Sequence, residues 1–135
     1  MYAHREEFPQ HEAALAEVTR LAEGPRRWGL PVFVLAEFVR VVTHPRVLHP
    51  PTGERTAVAA VQALLDSTSV RILNPGHDHW AILSRLVVHE RVRGNIVYDA
   101  QIAAVCIEHG ATTVLTEDRD FSRFGDLVVR RLAKT

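Results

Sequence analysis

Apolar residues recur at helical spacing in several stretches of this chain, and short β-branched or aromatic runs separate them. Ala14, Leu15, Val18 and Leu21 mark one face of a first helix. Pro9 suits its opening turn, and Gly24-Pro25 ends it. Trp28-Gly29-Leu30 leaves room only for a short strand. Val32–Val42 is apolar nearly all round and too long for a buried strand, so it is predicted as a buried helix ending at Thr43-His44-Pro45. After a His49–Gly53 loop, Ala57, Val58, Val61, Leu64 and Leu65 form the core stripe of a helix that begins near Glu54, with Thr52 placed to cap it. Val70–Leu73 reads as a strand before the Asn74-Pro75-Gly76 turn. Trp80, Leu83, Leu86 and Val87 line the next helix, which ends before Gly94. A helix over 99–109 stops at Gly110, Thr112–Leu115 is a β-branched strand, and Leu127–Val129 is a last edge strand. Helices alternating with strands, with no repeat or low-complexity tract, predict an α/β domain.

Composition narrows the class. With 135 residues, 47% of them hydrophobic, the chain is read as one globular domain over 1–135. Sixteen basic and sixteen acidic residues cancel, so any binding of nucleic acid must use a local patch and not a global field. The single cysteine, Cys106, lies in an apolar helical pattern; it permits no internal disulfide and reads as a core residue. No apolar run approaches the roughly 20 residues of a membrane helix, and the N-terminus has no signal-peptide core. A cytoplasmic location is expected.

The acidic positions carry the chemistry. Asp99 falls at a helix start, where exposed N–H groups stabilise negative charge; the bland alternative is a helix cap. Glu37 is the only charge between Pro31 and Val39, an expensive place for a carboxylate unless it is paired, metal-bound or turned to solvent. Asp118 and Asp120 directly follow a buried strand, where Asp also favours turns, and Thr116 either adds a hydroxyl to the site or bonds the turn. Ligands in open α/β sheets bind beyond the carboxyl ends of strands, and gathered carboxylates suit a hard divalent cation. His77-Asp78-His79 has the look of a zinc tract but lacks further ligands nearby, and reads as a helix entrance. There is no P-loop, dinucleotide glycine pattern or Gly-x-Ser-x-Gly elbow.

Three segments together resemble the PIN-domain ribonucleases: Leu35–Val47, Arg93–Ala100 and Leu115–Phe121. The Thr43-His44-Pro45-Arg46 and Arg93-Gly94-Asn95 elements are similar to those of VapC-type toxins of bacterial toxin–antitoxin pairs. The resemblance implies a three-layer α/β domain with a parallel sheet flanked by helices. It also implies a Mg²⁺- or Mn²⁺-dependent endoribonuclease, an antitoxin partner and commonly a homodimer. Position by position, Glu37 and Asp99 match the second and third family acids, Asp118 the fourth with Asp120 in support, and Thr116 the small hydroxyl. The implied metal ligands are Glu37, Asp99 and Asp118; Asn95 and Thr116 are supporting residues. Arg40, Arg93, Arg119 and Arg123 are candidate phosphate contacts, each also readable as a solvated surface arginine.

The front of the chain departs from the pattern. The family opens on a short strand ending in Asp; this chain starts just after it, and Glu6 and Glu7 are expected to face solvent. The expectation is a natural start upstream of Met1 and a domain shortened at its N-terminus relative to the family. The rival reading is a catalytically incomplete PIN-like module that captures antitoxin or RNA without cleaving. A phosphatase is a third, weaker reading.

Overall fold

A computed structural model describes residues 1–132. Among the described residues five α-helices and four strands follow one another in the predicted order, and the chain divides into two compact units, Met1–Ile72 and Leu73–Leu132. The class is the predicted α/β one. The strands form two ladders, β1 (Trp28–Pro31) with β2 (Val70–Leu73) and β3 (Thr113–Leu115) with β4 (Val128–Arg130). The second ladder is parallel, with Thr113 opposite Val128 and Leu115 opposite Arg130.

In the first unit, α1 (His11–Glu23) ends at Gly24. The outgoing carbonyls of α1 have no partner within a helix, and two serines from the approach to β2 supply them. Ser67 Oγ donates to Ala22 O at 2.8 Å and Ser69 Oγ to Leu21 O at 3.0 Å. Ser69, buried, also accepts the Trp28 indole N–H at 3.1 Å, so burial leaves its hydroxyl satisfied. Pro31 closes β1 and caps α2 (Val32–Val42) with an extended ψ of 135°, passing the chain directly from strand to helix. Val42, Leu48 and Ala57 form a small core with Phe8, Phe38 and Val39 at its margin.

Several expectations need correction here. Helix α2 forms over the predicted span, but among its residues only Val42 is buried; Ala36, Glu37 and Arg40 face solvent. α3 (Glu54–Leu65) is capped by Gly53 and not by Thr52, whose hydroxyl instead meets Arg5 at 3.1 Å and the His4 ring at 3.1 Å. Val58, assigned to the core stripe, is exposed. Glu6 and Glu7 face solvent as expected, Glu7 paired with Arg5 at 2.7 Å.

In the second unit, α4 (His79–His89) packs along α5 (Ile96–Glu108). Ala100, Ile102, Ala103, Ala104, Val105 and Cys106 of α5 are all buried. Leu83 and Leu86 of α4 face this core, whereas Trp80, predicted to line the same face, is 72% exposed at the first turn. α5 starts three residues earlier than predicted, and β4 is shifted by one residue. Both helices end in the same hydrogen-bond pattern. Ala111 N–H returns to Cys106 O at 2.9 Å around Gly110, whose φ is +77°, and Val92 N–H returns to Val87 O at 3.0 Å around Arg91, whose φ is +52°.

Candidate metal centre

The centre is built from two segments of the second unit. Asp99 stands in the first turn of α5, half-buried because its neighbours Ala100 and Ile102 turn into the core. Asp118 and Asp120 follow β3. Thr116 N–H extends the ladder to Arg130 O at 3.0 Å, and Thr116 Oγ1 then accepts the Asp118 N–H at 3.0 Å. The hydroxyl therefore bonds the turn that carries Asp118. Asp118 Oδ1 accepts the Asp120 N–H at 2.9 Å and so caps the 3-10 helix Arg119–Arg123. Phe121 and Phe124 are buried behind that helix, ring edge to ring face at 5.9 Å.

This turn chemistry brings Asp99, Asp118 and Asp120 together, one carboxylate oxygen from each lying within 4.8 Å of the others. With side-chain rotation these three carboxylates would hold one divalent cation in common. All-oxygen donors of like charge fit a hard divalent cation and not a soft one. Among the described residues this is the group of metal-ligating side chains found; the His77-Asp78-His79 tract supplies none.

The neighbouring acid is excluded by its own partners. Both Glu117 oxygens are taken, one by the Arg131 guanidinium at 2.8 Å and one by the Leu132 N–H at 2.7 Å. Arg131 first, then the Leu132 amide, hold the Glu117 carboxyl below the usual range. Asp120 has a looser cationic neighbour, Arg123 Nη2 at 4.0 Å from its Oδ1.

Other predicted positions distribute as follows. Glu37 is exposed on α2 of the first unit, and Arg40 is exposed on the same helix. Arg93 and Asn95 are exposed in the connection to α5; Asn95 is the N-cap, without a side-chain cap bond. Arg119 is exposed on the 3-10 helix and Arg123 is half-buried. Asp120, read from the sequence as support for Asp118, stands in the trio on an equal footing. The Asp-x-Asp spacing carried that information, because the first Asp caps the turn that lifts the second. Cys106 is a buried free thiol whose pKa burial pushes up to about 11, in line with a core role.

Comparison with known proteins gives concordant results. The sequence model of the PIN domain matches residues 1–127. The VapC ribonuclease Mb2897 of Mycobacterium bovis is 40% identical over 124 residues, covering 92% of this chain and 84% of its own length. Ribonuclease VapC48 of Mycobacterium tuberculosis is 31% identical over 130 residues, covering 96% and 90%. In fold, the chain is similar to a crystal structure of VapBC2 from Rickettsia felis bound to a DNA fragment from their promoter. The TM-score is 0.70 at 18% identity, with 98% of this chain and 92% of that one covered. The chain thus belongs to the PIN-domain family and, within it, to the VapC-type toxins.

Proposed function

We propose that the protein is a Mg²⁺- or Mn²⁺-dependent endoribonuclease toxin of a toxin–antitoxin pair. The observation that carries this reading is the meeting of Asp99, Asp118 and Asp120, from two segments far apart in sequence, in a member of a family whose relatives are ribonucleases. A divalent cation on these carboxylates would activate water at neutral pH and offset charge on the scissile phosphate. The chain's own groups do the placing. Asp118 is oriented by its cap bond to Asp120 N–H, which leaves its second oxygen for a ligand. Asp99 is carried on a helix locked by its buried face. Arg93, Arg119 and Arg123, with Arg40 of the first unit, are proposed phosphate contacts of the RNA. Glu37 is assigned by motif alone. The proposed protein partner is the cognate antitoxin, and the proposed assembly a homodimer. No helix among the described residues is long and apolar enough to cross a membrane.

The test is cleavage of a mixed pool of single-stranded RNA. Activity is expected with Mg²⁺ or Mn²⁺, abolished by chelation, and lowered at least ~10²-fold by Asp99→Asn, the order of loss when a group acting on transition-state charge is removed. Glu37→Gln in the same assay reads that residue's share. Cleavage by Asp99→Asn at the wild-type rate overturns the assignment. An intact fold that binds no divalent cation favours the non-cleaving binding module instead.

A further inference from the structure

We propose that Arg123 is a built-in competitor for the cation: its guanidinium partly neutralises Asp120 and so sets how readily the three carboxylates take up a divalent ion. The inference deepens the metal-centre reading above and rests on it. A 3-10 helix has three residues per turn, so positions i and i+3 eclipse. Asp120 and Arg123 therefore share one side of the helix, with Nη2 at 4.0 Å from Oδ1.

The two arginine–carboxylate pairs of this region differ in kind. Arg131 closes on Glu117 at 2.8 Å and removes it from the cluster. Arg123 stays at 4.0 Å from Asp120, near enough for Coulomb attraction and too far for a short charged hydrogen bond. Asp120 is thus screened and still available. An arginine keeps its charge at every working pH, so pH does not relieve the competition. Removing Arg123 takes one positive charge from beside Asp120, and the attraction of the carboxylates for a cation rises.

The experiment is calorimetric titration of Mn²⁺ into the full chain and into Arg123→Gln, Arg123→Lys and Arg123→Met. Arg123→Met repeats the neutralisation with an apolar stem, in case Arg123→Gln fails to fold. The neutral variants are expected to bind ~3–10-fold more tightly at low salt, as for one exposed unit charge a few ångströms away, with the gain shrinking as salt is raised. Arg123→Lys should stay near wild type. In an Asp120→Asn background the Arg123→Gln gain should shrink, because only the direct repulsion between guanidinium and cation remains. Unchanged or weaker binding by folded neutral variants overturns the competitor role and leaves the metal centre standing. No binding by the wild type overturns the metal centre itself, and this inference with it.

Discussion

Glu108, near the end of α5, holds the turn that enters α4. One of its oxygens accepts the Gly76 N–H at 2.8 Å and the other the Asp78 N–H at 2.9 Å. The Gly76 amide first, and then that of Asp78, keep the carboxyl below its usual pKa. A folded-state pKa below the unfolded one means stability that is present above the unfolded value and lost as pH falls through the depressed one. Glu108→Gln should therefore melt below wild type near pH 7, and the gap should narrow as pH falls below the ordinary Glu range; thermal circular dichroism across a pH series checks it. Gly76 is part of the fit, since a Cβ there would meet Glu108 Oε2 at 2.6 Å. None of this could be read from the sequence, because the partners are some 30 residues apart. Asp99 and Asp118 were legible because each stands at a local landmark, a helix start and a strand end. The equal standing of Asp120 was carried only by the Asp-x-Asp spacing, through the cap bond that Asp118 makes to its amide.

Among the elements, α4 and α5 offer an internal comparison. Both end with a left-handed residue and the same returning amide, but α5 uses Gly110 and α4 uses Arg91. A side chain at positive φ costs about 1–2 kcal/mol, part of which glycine would return as flexibility in the unfolded chain. Arg91→Gly is expected to stabilise the fold by about 0.5–1 kcal/mol, measured by urea denaturation; a loss of stability would mean the Arg91 side chain contributes more than its backbone strain costs. Helix spans were readable because Pro31, Gly24 and Gly110 punctuate them. What covers each helix was not: spacing shows that Trp80 and Val58 share a face with apolar neighbours, but not that the face turns out to solvent at those positions. α2 shows the same limit, since a nearly all-apolar stretch lies half-buried with Glu37 outward.

For the whole molecule, the balanced charge constrains recognition. A chain of formal net charge +0 has no long-range pull on a polyanion. On the proposed reading, RNA would be held by the candidate arginines Arg40, Arg93, Arg119 and Arg123. Each phosphate neutralised on a single strand contributes ~0.7 to the slope of log affinity against log salt. The slope for this protein should be no steeper than about −3, read by filter binding or fluorescence anisotropy across a salt series. A much steeper dependence would point to a basic surface beyond these four. The family and α/β class were legible across the full sequence because three motifs recur in order; the division into Met1–Ile72 and Leu73–Leu132 was not, because no linker or composition change marks it.

The connection between β3 and β4 has a consequence of its own. Parallel strands need a crossover of about a dozen residues or more, and the segment 116–127 supplies twelve, including Asp118, Asp120 and the aromatic pair behind them. Such a span is at the short end of what a crossover uses. A single deletion within it would drag Val128 out of register with Thr113, whereas an insertion could bulge outward, so length variation in this segment should be tolerated in one direction only.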